Sequence, residues 1–347
     1  MALIINSEEN FSDFIQIEYT LPFQGYRKYV AFAYILINAL GFMANIWVLY
    51  MVAPLLFYVN IKVPKSILFF IITLCLSDLM IMIGMLFLII EIIMGTWKFS
   101  EASCTIYLVF EAMNKFVAPV IVVLISRTCY VTVCLRNKQQ KNAASLKVSV
   151  IFLFASMAII MIVLWPVFAY SQVSSLFFRV NATEKTVFIM RKCSFTPPPG
   201  IELAFGIVSC ISSYAIPLGG FIYWYVSVSF FLKKHVDSSL AFSSSNDSAM
   251  RRVAATVFVL TVVYVSCWTP YWLSIFAHKF ISSMNRKIVI ASYLIHLLPY
   301  ISCSAYPVIF TLMNRRIKLA RAELEKYNKR RIKTFGNNLI TISFFMN

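Results

Sequence analysis

Apolar residues run through this chain in seven long blocks, separated by short segments that carry most of its charged side chains. Each block has more than twenty residues, enough to cross the ~30 Å hydrocarbon layer of a bilayer as a helix that rises ~1.5 Å per residue. No alternation of apolar and polar residues indicates a β-barrel, whereas a helix satisfies its backbone polar groups internally. The pattern predicts seven transmembrane helices, over residues 30–57, 66–94, 106–134, 148–169, 203–232, 253–277 and 288–313.

Composition supports an all-α membrane protein built as a seven-helix bundle. Hydrophobic residues make up 60% of the 347 residues and charged ones only 13%, too few for a water-soluble surface. We expect a short N-terminal segment (1–29), the seven-helix domain (30–313) and a cytoplasmic C-terminal segment (314–347). The first 29 residues lack the basic, apolar and small-residue series of a signal peptide, so we expect the first helix to direct insertion.

The distribution of lysine and arginine predicts that the N-terminus is extracellular and that the protein lies in the plasma membrane. With that orientation nineteen basic residues lie on the cytoplasmic side and ten outside, as the positive-inside rule requires. Arg27 and Lys28, just before the first block, are the weak point. Anionic lipid on the inner leaflet accounts for the net charge of +17, so membrane lipid is the expected partner and nucleic acid is not.

Two glycosylation sequons fall on the same predicted outer side. They are Asn10-Phe11-Ser12 and Asn181-Ala182-Thr183. Each motif is weak by itself, but both agree with the orientation that the charges indicate. We expect glycans at Asn10 and Asn181.

Two of the eight cysteines are predicted to form a disulfide. Six lie within the apolar blocks or at their inner edge, where they are expected to be small buried side chains. Cys104 and Cys193 are the pair left on the outer side, in an oxidising compartment, and a bond between them would tie the loop before span five across the bundle. The alternative is two free thiols. Within that loop, 176–190 has two short apolar runs that could form a hairpin.

The segment after the seventh block is predicted to form a short amphipathic eighth helix. Ile317, Ala320, Leu324 and Tyr327 fall on one helical face, with charged residues elsewhere. Such a helix would lie on the inner leaflet. A disordered basic tail is the alternative.

Charged residues inside the predicted spans are candidates for function because they are costly in lipid. Asp78 lies in span two, Glu111 and Lys115 in span three, and Arg127 near the inner end of span three. Glu111 and Lys115 are four residues apart in the order that favours a helical ion pair, so they could simply neutralise each other. The alternative is that Glu111 faces an outward-opening cavity and receives a ligand cation.

Span seven would complete such a cavity. His296 and Tyr300 are four residues apart and so lie on one face of this span.

Three prolines are expected to kink the later spans and make them flexible. They are Pro217 in span five, Pro270 in span six and Pro307 in span seven. Trp268, two residues before Pro270, could couple cavity occupancy to the kink, although such a tryptophan often serves packing alone.

These residues together resemble rhodopsin-like G-protein-coupled receptors from position 41 to about 327. The Cys-Trp-x-Pro run in span six is the most specific match. The matching residues are Asn45, Val48, Leu74, Asp78, Cys104, Trp97-Lys98-Phe99, Pro217, Tyr225, Cys267-Trp268-Thr269-Pro270 and Pro307.

Within that family, the surroundings of Glu111, Asn114 and Tyr300 are similar to somatostatin, opioid and allatostatin-C type peptide receptors. The resemblance implies a peptide ligand outside, heterotrimeric G protein and arrestin inside, and no cofactor. It implies a ligand pocket of Glu111, Lys115, Tyr271, Trp272, Ile275, Ser292, His296 and Tyr300. It also implies switch and coupling roles for Asp78, Asn114, Thr128, Cys129, Tyr130, Pro217, Tyr225, Trp268, Pro270, Tyr306, Pro307 and Phe310.

Departures from the family pattern concentrate at the inner end. Thr128-Cys129-Tyr130 stands where the family has Asp-Arg-Tyr, so the arginine that contacts the G protein is missing. Arg127 points to a different side of the helix, because each residue turns ~100°. This raises a second hypothesis, an atypical receptor that binds ligand without coupling and serves as a scavenger or a partner in a heteromer.

The span-seven motif and the family's sodium site also depart from the pattern. Asn-Pro-x-x-Tyr is replaced by a run from Tyr306 through Pro307 to Phe310, losing an amide and a hydroxyl. Ala118 and Tyr306 replace polar groups around Asp78, so any sodium site there is expected to be weakened, and no other metal site is predicted.

Other functional classes fit the sequence poorly. A transporter would be expected to have internal repeats and paired broken helices. A retinal-binding photoreceptor needs a lysine at mid-depth in span seven, and Lys287 lies only at its mouth. No phosphate loop or nucleophile constellation indicates an enzyme.

Overall fold

The computed structural model describes residues 4–5, 15–58, 63–134, 145–181, 186–237, 244–277, 286–315 and 317–330. Within these ranges it has seven helices long and apolar enough to cross a membrane, which confirms the predicted architecture. They are α1 (Tyr26–Phe57), α2 (Lys65–Met94), α3 (Glu101–Cys134), α4 (Leu146–Val163, continued by Trp165–Tyr170), α5 (Pro199–Cys210, Ile211–Ala215 and Ile216–Asp237), α6 (Ser244–Ala277) and α7 (Arg286–Met313).

Helix α5 changes its winding where the sequence predicted a proline kink. Five residues, Ile211–Ala215, form a π-helix, and Pro217 follows two residues after it. A proline lacks the N–H that continues the α-helical ladder and its ring crowds the preceding turn. The irregular winding therefore lies just N-terminal to the proline. Pro270 and Pro307 lie inside α6 and α7.

A four-stranded sheet covers the end of the bundle at which α1 begins, here called the N-terminal face. Its strands are β1 (Ile4–Ile5), β2 (Ile15–Glu18), β3 (Ser171–Asn181) and β4 (Thr186–Phe195), in the order β1-β3-β4-β2. The antiparallel β3–β4 hairpin confirms the hairpin expected within 176–190 and extends beyond it. Strands β1 and β2 were not predicted from the sequence.

The N-terminal segment is tied to the loops of this face. Strand β2 runs parallel to β4, and Lys98 Nζ donates to Glu18 Oε1 at 2.5 Å. Gly95 ends α2 with φ 76°, and a Cβ at that position would lie 2.4 Å from the Leu21 carbonyl oxygen. Arg27 donates to the Leu21 carbonyl at 2.5 Å. The close packing explains why a glycine stands at this helix end.

The core lies between the helices, and apolar side chains also cover the outside. Tyr34, Leu74 and Phe221 are at most 1% exposed, whereas Phe57 is 81% exposed and Tyr29 79%. Large exposed apolar side chains around a helical bundle are what a lipid-facing surface requires.

Residues 317–330 have helical backbone and are called α8 here, and the short amphipathic eighth helix stays a prediction. Ile317, Ala320 and Leu324 are buried, but Tyr327 of the same predicted face is 48% exposed. Arg321 holds the helix to α1, because its guanidinium donates to the Tyr50 carbonyl at 3.3 Å and lies 4.6 Å from the centroid of that ring. A position on the inner leaflet stays a prediction.

Candidate ligand-binding site

The predicted disulfide fixes the sheet over the bundle. Cys104 at the start of α3 is bonded to Cys193 in β4. Trp97, fully buried, packs in the same cluster, and its backbone N–H donates to the Arg191 carbonyl at 2.8 Å. Two independent links thus hold β4 above the ends of α2 and α3.

Glu111 and Lys115 form the predicted ion pair inside the bundle. Lys115 Nζ donates to Glu111 Oε1 at 2.9 Å, and the two side chains are 20% and 19% exposed. The ammonium also lies 5.0 Å from the centroid of the Tyr271 ring, a cation–π contact from α3 to α6. The pair is therefore held from two sides, by the carboxylate and by the aromatic face.

A cavity of about 210 Å³ lies beside this pair. Its walls come from α3, β4, α5 and α6, and most of its lining is aromatic or aliphatic. The lining residues are Ala112, Lys115, Phe116, Phe195, Glu202, Phe205, Gly206, Ser209, Ser213, Tyr271, Trp272, Ile275 and Phe276. An apolar pocket with a few polar groups is typical of a ligand site.

Half of the predicted pocket residues line this cavity. The four lining residues are Lys115, Tyr271, Trp272 and Ile275. Glu111 is outside the lining, but it is hydrogen-bonded to Lys115, which lines the cavity. The remaining three are on α7 and are outside the lining set: Ser292, His296 and Tyr300.

The α7 residues pack behind the cavity wall. The His296 ring lies 5.2 Å from that of Tyr271, and the Tyr300 ring lies 6.3 Å from that of Tyr34. The Tyr34 hydroxyl donates to the Tyr293 carbonyl at 2.9 Å, which joins α1 to α7. These contacts place His296 against Tyr271 and Tyr300 against Tyr34 of α1, and neither residue is in the cavity lining.

Sequence reasoning missed the contribution of α5. Phe205, Ser209 and Ser213 are four residues apart and line the cavity together. That spacing puts them on one helical face and was the available signal. Phe195 in β4 had no such signal, because its place depends on the disulfide and the hairpin.

Two buried donors at the cavity wall have no partner within the part of the chain that the structure describes. The Ser209 hydroxyl and the Trp272 indole nitrogen lack a hydrogen-bond partner among the described residues. Ser209 is 5% exposed and Trp272 6%. Buried polar groups are normally satisfied, so each such donor calls for an explanation.

Tyrosine hydroxyls connect the π-helix of α5 to α6 below the cavity. The Tyr264 hydroxyl donates to the Ser213 carbonyl at 2.5 Å, and its ring stacks on Tyr214 at 5.6 Å. Tyr214 and Thr269 hydroxyls are 2.6 Å apart. The fully buried Trp268 lies 6.0 Å from Tyr264, measured between ring centroids. The cavity wall is thus joined by direct contacts to the predicted switch tryptophan.

Asp78 and Asn114 meet in the centre of the bundle. Asn114 Nδ2 donates to Asp78 Oδ1 at 3.0 Å, and the Cys303 thiol donates to Asn114 Oδ1 at 3.1 Å. Asp78 Oδ2 and the Tyr306 hydroxyl have no partner within the described ranges. Ala118, fully buried, offers no oxygen here. The weakened sodium site stays a prediction.

The C-terminal end of α3 contacts its own helix and the aromatic rings of α4 and α5. The Thr128 hydroxyl donates to the Leu124 carbonyl of its own helix at 2.8 Å. The Tyr130 ring lies 5.3 Å from that of Trp224 in α5. Arg127 lies 5.6 Å from the Phe152 ring of α4, so its guanidinium is directed to a neighbouring helix. This agrees with the expectation that Arg127 cannot replace the missing arginine.

The other predicted coupling residues are packed between helices or against a neighbour. Tyr306 and Phe310 of α7 are 0% and 3% exposed. Tyr225 of α5 is 37% exposed, and its ring lies 5.8 Å from that of Phe258 in α6. Their roles in switching stay predictions.

Comparisons with known proteins agree with the architecture and with the resemblance. The family model described as "7 transmembrane receptor (rhodopsin family)" matches residues 44–310. A probable G-protein coupled receptor of Caenorhabditis elegans, npr-29, is 56% identical over 94% of this chain and 83% of its own length. Neuropeptide receptor 18 of the same nematode is 23% identical over 74% and 58%. Rat somatostatin receptor type 1 is 20% identical over 85% and 71%.

The match covers most of the chain and includes all seven helices in whole or in part. Proteins of this kind are multi-pass membrane receptors and not enzymes. The chain therefore belongs to the rhodopsin family of seven-transmembrane receptors.

Proposed function

We propose that this chain is a plasma-membrane receptor that binds a peptide at its N-terminal face and activates a heterotrimeric G protein at the opposite face. The cavity between α3, α5 and α6 carries the proposal, since it combines an aromatic lining with a charged pair. Relatives named for neuropeptides and somatostatin support a peptide as the ligand.

The proposed orientation puts the N-terminus, the sheet and the disulfide outside the cell. The bias of basic residues toward the other side supports it. Asn181, at the end of β3, would then be available to glycosylation. Asn10 lies outside the described residues.

Ligand binding would favour the active arrangement of a pre-existing equilibrium. Trp272 and Tyr271 line the cavity, and Trp268 packs one turn deeper in the same helix, 5.8 Å from the Tyr271 ring. A ligand that displaces these rings would move α6 about Pro270, opening the inner face to the G protein. Arrestin and inner-leaflet lipid at α8 complete the proposed partners.

A receptor that binds without coupling is the second candidate. Thr128 and Cys129 in place of Asp-Arg favour it, as does the packing of Arg127 on Phe152. It shares the cavity with the first candidate and differs only at the inner face.

A peptide screen with nucleotide exchange on purified G proteins tests the proposal and separates the two candidates. We expect at least one peptide to bind and to stimulate exchange. Binding without exchange, with exchange gained in a Thr128→Asp/Cys129→Arg variant, would favour the non-coupling receptor. Absence of binding by every peptide, from protein that is folded and at the cell surface, would contradict a peptide receptor.

A further inference from the structure

The cavity presents the cation of the buried ion pair, not the acid. Among the described residues that line it, Lys115 is the only base and Glu202 the only acid. Glu111 accepts from Lys115 at 2.9 Å. An ammonium has three protons to donate, so Lys115 can serve a ligand oxygen while it keeps its bond to Glu111. A ligand cation that passes Glu202 would meet the like charge of Lys115 inside the cavity.

Two further donors lie in the same wall. Ser209 of α5 and Trp272 of α6 both line the cavity. The Ser209 hydroxyl and the Trp272 indole N–H lack partners among the described residues. Both side chains are more than nine-tenths buried. An acceptor brought into this wall would satisfy donors that the protein itself leaves unpaired.

The positions of Glu202 and Ser209 along α5 indicate which part of a ligand reaches the deeper donors. Glu202 is in the first turn of α5, and Ser209 lies seven residues, about two turns, deeper on the same face. Phe116, Phe205 and Phe276 surround the space. An acceptor group that reaches Ser209 and Lys115 must therefore be carried by an aromatic or aliphatic residue.

We propose that the cavity binds a hydrogen-bond acceptor, a carboxylate or carbonyl oxygen carried by an aromatic residue of the ligand, through Lys115, Trp272 and Ser209. Glu111 is then the counter-ion that positions Lys115, not the group that grips the ligand. This inference rests on the proposed ligand-binding role of the cavity and gives that ligand its chemistry.

Three aromatic probes of similar size test the proposal on purified, detergent-solubilised receptor. N-acetylphenylalanine presents a carboxylate, N-acetylphenylalanine amide presents carbonyls, and phenethylamine presents a cation. Each is added at millimolar concentration and the melting temperature is measured. We expect one or both acceptor probes to raise it by about 2 °C, because a ligand stabilises the state it binds, and phenethylamine to leave it unchanged. The larger of the two acceptor shifts identifies carboxylate or carbonyl.

Variants assign the shift to the residues. Glu111→Gln should keep the shift, whereas the Glu111→Gln/Lys115→Gln double variant should lose it. The double variant removes both charges, whereas Lys115→Gln alone would leave the Glu111 carboxylate without its cation and lower the stability of the starting protein. Ser209→Ala should reduce the shift, and Cys210→Ser, the next residue along the helix, should not.

Stabilisation by phenethylamine alone, loss of the acceptor shift in Glu111→Gln, or no shift with either acceptor probe would overturn the inference. The measurement uses neither peptide nor G protein. A receptor that fails the peptide screen can therefore still show the probe shift, and a receptor that passes the peptide screen can fail to show it. The failure of this inference and the failure of the proposed function are thus distinguishable.

Discussion

The two ends of the bundle are built differently. At the N-terminal face a disulfide, a four-stranded sheet and a buried ion pair impose specific geometry around a cavity. At the opposite end of α3, the Thr128 hydroxyl bonds to its own helix and Arg127 lies 5.6 Å from the centroid of the Phe152 ring. The contrast teaches that directional polar contacts between segments surround the cavity, whereas the described contacts at the other end of α3 lie within one helix or against an aromatic ring. Variants that change one end or one contact at a time test this difference.

The largest effect is expected from opening the disulfide. Cys104→Ser, Cys193→Ser and the double variant should be destabilised alike, by about 2–5 kcal/mol, because the bond closes a long loop. Surface expression and melting temperature measure the loss. Cys210→Ser, at a half-buried free cysteine, is the matched control. A melting temperature close to that of the unaltered protein would mean that the sheet is held by its other contacts.

The partly buried ion pair should be the next most sensitive contact. Lys115→Gln leaves the Glu111 carboxylate, 19% exposed, without its cation, so we expect a loss of up to about 3 kcal/mol. Glu111→Gln/Lys115→Gln removes both charges and should cost clearly less. Melting temperatures of the two single variants and the double variant form a double-mutant cycle. Additive losses would show that the two side chains act independently.

The hydrogen bond from Tyr264 to the π-helix should contribute less. Tyr264→Phe keeps the ring packing but leaves the Ser213 carbonyl without this donor, and we expect a loss of about 1 kcal/mol. The melting temperature should fall by about 2 °C, and basal nucleotide exchange should change because α5 and α6 are released from each other. Tyr223→Phe, at a 62% exposed site of α5, is the control. Equal effects of both changes would argue against a link through Tyr264.

The smallest effect is expected from the exposed ion pair of Glu18 and Lys98. Their side chains are 51% and 37% exposed, so solvent screens the pair and Glu18→Gln should cost less than about 1 kcal/mol. The difference from the unaltered protein should shrink further at high salt. A loss as large as that of the buried pair would mean that β2 depends on this contact.

Much of the fold could be predicted because the membrane restricts the choices. Blocks of apolar residues long enough to span the bilayer identify α1 to α7. Cys104 and Cys193 are the two cysteines left outside these blocks on the predicted extracellular side, which identifies their disulfide. The i, i+4 spacing of Glu111 and Lys115 predicted their contact. The spans and the ion pair depend on short stretches of sequence, and the disulfide depends on the one pair of cysteines available to form it.

The rest required contacts between distant segments. Strand β2 has only four residues, Ile15–Glu18, and is a strand because β4 offers it an edge. Pro217 marks where α5 changes its winding, but the hydrogen bond from Tyr264 of α6 to the Ser213 carbonyl of the π-helix joins distant segments, and no local pattern predicts it.

The sequence by itself determined seven spans, their outer disulfide, an acid–base pair in span three and the loss of the family's inner arginine. Periodicity, spacing and residue type decide these features. Only the tertiary structure decided which charge of the pair lines the cavity, that α5 supplies a wall with Ser209, and that His296 of α7 packs against Tyr271 outside the cavity lining. The physical reason is that the lining of a cavity depends on the rotation and approach of several helices at once, which one helix's sequence does not specify.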